Sequence, residues 1–226
     1  RGQPVVRAVA THRLLVLAAA VVALAAVGGA LIAHQVAWRQ QQARLAADTE
    51  VQLELLRSEL ERHRLLPTIL AQDPSLSAAV RLSLTPGRSQ RSFDDISARL
   101  EALAESDGAV AVYLIATDGI AIAASNYRSP GSFVGRDYSG FTYFSEAMRS
   151  GHTQFYARGT TSGIPGLFMV QRLADGNGII VVKVVFDALE QAWRAGRATV
   201  RVVDSHDIIV LTDDPAQRFQ PLAAST

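Results

Sequence analysis

The chain has 226 residues, 49% of them hydrophobic and 19% charged, with a formal net charge of +1 and no cysteine. A balance so near neutrality argues against a broad nucleic-acid-binding face, and the absence of thiols excludes a disulfide framework and a thiolate zinc site. The apolar content suffices for one membrane span and a packed core, arranged as one or two domains.

The stretch from Leu14 to Ala33 carries no charged or strongly polar residue. An apolar run of about 20 residues matches the hydrocarbon thickness of a bilayer when helical, and a helix satisfies its own backbone groups in lipid. A secretory signal peptide would have a shorter apolar core of about 7–15 residues, so a retained transmembrane helix is expected over residues 14–33. Arg1, Arg7 and Arg13 precede it and Arg39 and Arg44 follow it. This bias makes residues 1–13 a cytoplasmic stub, and Trp38 is placed for the headgroup level. The first residue is Arg1 rather than Met, and the chain stops at Thr226 without an evident end to its last element. A segment of a longer protein is expected.

No Pro or Gly occurs between Gln35 and Leu66. Leu53, Leu56 and Leu60 share one helical face, so residues 34–66 are expected to form a stalk helix laid on its own domain or on a second copy of the chain. Pro67 breaks or kinks it. Asp73-Pro74 opens a short helix to about Leu84, and Thr85-Pro86-Gly87 turns the chain. The run Ser92-Phe-Asp-Asp95 resembles a capping box. It introduces a helix with Ile96, Leu100 and Leu103 on its apolar side, ending near Gly108.

Strands follow. Val110 to Ala116, the turn Thr117-Asp118-Gly119 and Ile120 to Ala124 read as a hairpin. A loop rich in Gly, Ser and Pro leads to a short helix from Phe141 to Arg149. Thr153 to Ala157, Leu167 to Leu173 and Ile179 to Phe186 read as three more strands, the last two joined by the tight turn Asp175-Gly-Asn-Gly178. Asp187 is placed to cap a helix reaching about Arg194. Antiparallel hairpins with segregated helices predict an α+β domain over residues 67–195. From residue 196 the pattern of strand (Ala198 to Val203), polar turn and strand (Ile208 to Thr212) repeats. Residues 196–226 are therefore read as the truncated start of a second, similar domain.

Lys183 interrupts the alternating face that contains Val181 and Val185. Such a lysine is either solvated on the strand's outer face or turned into a pocket for an anion. Thr160, Thr161 and Ser162 form either a plain polar turn or an anion-contacting loop, and Tyr138 is equally a core or a pocket residue. Enzyme readings fail. Ser205-His206-Asp207 are adjacent and cannot adopt triad geometry, and Gly159 to Gly163 does not form the G-x-S-x-G of a nucleophile elbow. The five histidines are scattered, and no nucleotide-binding motif is present. No catalytic residue, metal ligand or cofactor is expected in this segment.

The run Ser129-Pro-Gly-Ser-Phe-Val-Gly-Arg-Asp-Tyr138 resembles the loop before the binding helix of periplasmic double-Cache (PAS-like) sensors. Tyr143-Phe144, Ala147, Gly159-Thr-Thr-Ser-Gly-Ile-Pro-Gly166 and Val181-Val-Lys-Val184 are similar to the C4-dicarboxylate sensor histidine kinases of the DctB type, as is the Val203-Asp204 turn with Ile209-Val-Leu-Thr212. The resemblance covers nearly the whole chain, and the GTTSG-x-PG run is its most specific part. It implies two Cache modules outside a bacterial inner membrane, a distal module that binds a small carboxylate, and a homodimer whose cytoplasmic kinase acts on a response regulator. Inputs of this kind also serve diguanylate cyclases and chemoreceptors, and a membrane-tethered scaffold domain without a small ligand is a further alternative. By the resemblance, the ligand positions are Tyr138, Phe141, Thr160, Ser162 and Lys183. The chain departs from the family at 141, where an arginine is expected to clamp a carboxylate. Arg158 is the candidate replacement. If it points inward, a dicarboxylate is expected; if outward, a monocarboxylate or another small organic acid with Phe141 covering its apolar end.

Overall fold

The computed structural model describes residues 34–35, 38, 49–85, 93–109, 111–196 and 199–222. The expected membrane span at 14–33 lies outside them, as do Ser92 of the expected capping box, Pro86-Gly87 and Ala198. Among the described residues no helix is long and apolar enough to cross a membrane. The chain divides into two compact units, residues 1–55 and 56–226. In the first, the described positions 34, 35, 38 and 49–55 are helical, and Leu53 is exposed.

The second unit holds both the expected sensor domain and the expected start of a second module. It opens with helix α1 (56–64). Leu56 packs on the core while Leu60 is exposed. The buried His63 joins Asp107 at 2.5 Å between Nδ1 and Oδ2. A turn at Leu65 separates α1 from α2 (Leu66–Ala71), in whose first turn Pro67 sits, where its missing N–H costs no helical bond. Helix α3 (Pro74–Ser83) is capped by Asp73, whose side chain accepts from the Ser75 N–H. Helix α4 (Asp94–Asp107) starts after Phe93, with no side-chain cap, and stops at Gly108 in a left-handed conformation.

Five antiparallel strands form one sheet in the order β2-β1-β5-β4-β3. They are β1 (Ala111–Ala116), β2 (Ala121–Ala124), β3 (His152–Arg158), β4 (Pro165–Arg172) and β5 (Gly178–Val184). The very apolar β5 lies in the middle and is buried at every position, which explains why its sequence barely alternates. Period two sorts the side chains onto two faces. Val112, Leu114, Met169, Ile180 and Val182 pack against the N-terminal helices and Trp193 of α6 (Asp187–Ala195). Tyr113, Phe168, Val170, Ile179 and Val181 face the other way, beneath the loop after β2 and helix α5 (Thr142–Ser150).

That loop is tied to the β1–β2 hairpin. Gly119 has φ +85, and its carbonyl accepts the Tyr138 N–H at 2.7 Å. Gly135 and Arg136 exchange backbone bonds with Ala121, and Ile120 bridges Asp137. A Cβ on Gly119 would lie 2.5–2.7 Å from the backbone N, Cα and Cβ of Ser139. Gly119→Ala therefore combines a left-handed backbone with a collision against main chain. It is expected to lower the free energy of unfolding by about 2 kcal/mol or more and to release Tyr138 from its position. Denaturant unfolding of the variant checks this, and a loss under 0.5 kcal/mol would contradict it.

At the end of the sheet the structure departs from the expected cap of α6. Phe186, not Asp187, occupies the N-cap and makes no side-chain cap bond. The burial of Phe186 fixes the entry of the helix, and Asp187 becomes a first-turn acid, favourable at the positive end of the helix dipole. After α6, β6 (Arg201–Val203) and β7 (Ile209–Thr212) form a separate two-stranded sheet, followed by a 3-10 turn at Pro215–Gln217. Glu190 of α6 is 2% exposed and reaches this sheet. It accepts from the Thr212 N–H at 3.2 Å and pairs with Arg218.

Candidate functional site

On the face of the sheet opposite the N-terminal helices lies a cavity of about 250 Å³, roofed by the loop after β2, the start of α5 and the β3–β4 hairpin. This is somewhat below the usual ~300–1,000 Å³ of ligand pockets and suits a small molecule. Four strands and two loops meet there because register aligns Phe155, Phe168 and Lys183 in one row across β3, β4 and β5.

Lys183 is 1% exposed. Its Nζ donates to Ser162 Oγ at 2.9 Å and to the Ile164 carbonyl at 2.7 Å, and it lies 5.2 Å from the centre of the Phe168 ring. An ammonium has three protons, so one is left beyond these two bonds. No carboxylate is among the described residues that line the cavity. Burial pushes the ammonium below its ordinary pKa, and the charge of Asp187 works in the opposite direction.

The hairpin between β3 and β4 is shaped around this lysine. Gly163 takes φ +68 and donates its N–H to Gly159 O at 2.8 Å. Gly159 returns an N–H to Ile164 O at 2.9 Å. A Cβ on Gly159 would come within 2.6 Å of Ser162 Oγ and 2.9 Å of Lys183 Nζ. One on Gly166 would meet Val184 O at 2.5 Å and Lys183 Cε at 3.0 Å. Ser162 Oγ accepts from both Lys183 Nζ and the Ile164 N–H, the latter at 3.3 Å. Both lone pairs are engaged, which leaves its own O–H free to donate. Thr160 and Thr161 complete this polar end.

The rest of the wall is aromatic. The rings of Tyr138, Phe141 and Tyr143 lie 5.6–6.5 Å apart, Tyr113 stands 5.5 Å from Tyr138, and Phe155 stacks on Phe168 at 4.9 Å. Burial holds the phenol of Tyr143 well above its usual range and raises that of Tyr138, where the Thr161 side chain and Arg136 oppose the rise. Both hydroxyls stay protonated at neutral pH. The Tyr143 hydroxyl is buried beside the Tyr113 side chain, whose hydrogen bonding opposes the rise.

All six residues singled out in the sequence, Tyr138, Phe141, Arg158, Thr160, Ser162 and Lys183, border this cavity. Arg158 does so only at the rim. It shares the face of Tyr156 rather than that of Ala157, its Nη1 donates to the Gly163 carbonyl at 3.1 Å, and its guanidinium lies over the Phe219 ring at 5.9 Å. Its charge is thus directed away from the aromatic hollow.

Comparison with known proteins adds the lineage. The C4-dicarboxylate transport sensor protein DctB of Rhizobium meliloti is 41% identical over 214 residues, which cover 91% of this chain and 33% of that protein. The protein of the same name from Pseudomonas aeruginosa is 31% identical over 177 residues, 74% of this chain and 28% of its own length. The sensor domain of the V. cholerae histidine kinase DctB superposes with a TM-score of 0.68 at 27% identity, covering 82% of this chain and 73% of that one. The chain belongs to the DctB type of sensor region. It spans about a third of the length of these curated relatives. No family model matches it.

Within this DctB-type region the sequence left several wall residues unremarked. Tyr113, Phe155 and Phe168 all line the cavity, as does Phe133, which the sequence marked only as part of the run from Ser129 to Tyr138. Period two in β1 and β4 assigns Tyr113 and Phe168 to one face, but only the strand order shows that this face holds the hollow. The two glycines at 159 and 166 carried a readable signal as part of the GTTSG-x-PG run. Their purpose, room for a lysine arriving from β5, depends on a contact across the sheet.

Proposed function

We propose that this region binds a small organic acid outside the cell and reports its presence across the inner membrane to a histidine kinase in the rest of the protein. The observation that carries the reading is the buried Lys183 ammonium, which has a spare proton and borders a cavity with no carboxylate among its described lining residues. A buried cation without a fixed counter-ion is costly, and an anionic ligand removes that cost. In this reading Lys183 and the hydroxyls of Ser162 and Thr160 hold the carboxylate, and Tyr138 and Phe141 close over the remainder of the molecule. Names borne by relatives, which specify C4-dicarboxylate transport sensing and a histidine kinase, support the class of ligand and of output.

Signalling follows from differential affinity: the ligand favours whichever arrangement of the hairpin and β5 best surrounds it. Two contacts lie ready to carry such a change to the residues around β6 and β7. Helix α6, which follows β5 after two residues, holds Arg218 through Glu190, and β3 meets Phe219 through Tyr156 and Arg158. In the full protein this change would pass to the membrane helices of a homodimer and to a response regulator.

Calorimetric titration of the chain in detergent with small mono- and dicarboxylates tests the binding step. Saturable binding is expected, and it weakens with rising pH. The ammonium must be charged to hold the anion, and its pKa lies below 10.5, so affinity falls at a lower pH than an exposed lysine would give. In the ligand-free protein the sign reverses. Between the depressed value and 10.5 the folded chain binds fewer protons than the unfolded chain, so its stability rises with pH through that window. Absence of binding by every carboxylate tried would overturn the proposal.

A further inference from the structure

We infer that the site selects a monocarboxylate with an apolar tail, branched or aromatic, over a dicarboxylate. The inference rests on the small-acid reading above and concerns the end of the cavity remote from Lys183.

Among the described residues that line the cavity, only Lys183 and Arg158 are cationic. The guanidinium of Arg158 is engaged by the Gly163 carbonyl and the Phe219 ring, on the side of β3 that carries Tyr156. One full positive charge therefore serves the hollow, at the hairpin end. The rest of the wall is aromatic, from Phe168 and Phe155 beside the ammonium to Tyr138, Phe141 and Tyr143 around the start of α5. The Tyr143 hydroxyl does not alter this. It is buried beside the Tyr113 side chain, so Tyr143 offers its ring rather than its oxygen.

A second carboxylate on the ligand would lose its hydration against those rings and gain no cation in exchange. An apolar tail in the same place is itself taken out of water and fills contacts with the adjoining rings of Phe141 and Tyr143. The same wall therefore attracts one class and rejects the other, which is how a pocket discriminates. The modest cavity volume limits the tail to a few carbons or a single ring.

The test is calorimetry on the chain in detergent micelles at neutral pH with three probes: 3-methylbutanoate, benzoate and succinate. At least one monocarboxylate is expected to bind on the order of tenfold tighter than succinate, since an unpaired charge buried against apolar groups costs at least that much. Phe141→Arg should narrow or reverse this order by giving a second carboxylate a partner. Succinate binding as tightly as both monocarboxylates in the wild-type chain would overturn the inference while leaving the small-acid reading intact. A Phe141→Arg chain that binds but keeps the original order would overturn it as well. Failure of all three probes to bind would remove the small-acid reading itself, and this inference with it.

Discussion

Replacing Glu190 by alanine is expected to destabilise the second unit by about 3–5 kcal/mol, the range observed when one partner of a buried ion pair is removed. Glu190 is 2% exposed and the Arg218 side chain 12%. Glu190 Oε2 takes the charged bond from Arg218, while Oε1 takes the Thr212 N–H. The alanine variant strands a guanidinium whose Nε is already buried without a partner, and it orphans a main-chain donor of β7. The defect is local to the junction of α6 with β6 and β7, so amides of Ile209 to Thr212 should lose hydrogen-exchange protection first. The double replacement Glu190→Leu with Arg218→Leu should recover most of the loss, because it leaves no charge uncompensated. Equilibrium denaturation of the two variants measures both effects. A single variant within 1 kcal/mol of the parent would show that this junction does not hold the β6–β7 sheet to the sensor.

That junction also shows where sequence reading stops. Strands and turns were legible because their signals are local. Asp118-Gly119 and Asp175-Gly176 mark hairpins, the β-branched run from Ile179 marks a buried strand, and Gly151 closes α5. Lys183 was legible as an anomaly, a single charge on an otherwise apolar face of a strand, although the alternation alone left open which way it pointed. The hollow itself was not legible. Tyr113, Phe133, Phe155 and Phe168 come from four separate segments, and their convergence depends on the order β1-β5-β4-β3, which no single segment encodes. Arg158 was the nearest spare cation in the sequence. Its orientation was fixed only by the pairing of Arg158 with Pro165, which puts its side chain on the face of Tyr156. Nothing in the local sequence distinguishes Glu190 from an ordinary helix acid. It is buried where Thr212 and Arg218, more than twenty residues on, return to meet it.

Lys183→Met is expected to produce two effects of opposite sign. Affinity for a carboxylate should fall on the order of 10- to 100-fold, as a charged hydrogen bond contributes about 1.5–3 kcal/mol. The ligand-free protein, by contrast, should be as stable as the parent or more so. Methionine follows the path of the lysine stem without carrying a charge into the interior, and its sulfur can settle against the Phe168 ring, over which the ammonium now lies at 5.2 Å. Neither acceptor is orphaned by the change. Ile164 O keeps the Gly159 N–H, and Ser162 Oγ keeps the Ile164 N–H, so the hairpin retains its own bonds. This separates a binding lysine from a bracing one. Were the lysine present chiefly to hold the hairpin, its replacement would lower the unfolding temperature and leave titration with carboxylates little changed. Thermal denaturation and calorimetry on the same preparation therefore decide the matter together. Lost affinity with preserved stability supports the anion site, and the reverse pattern would remove the physical basis for placing a ligand there.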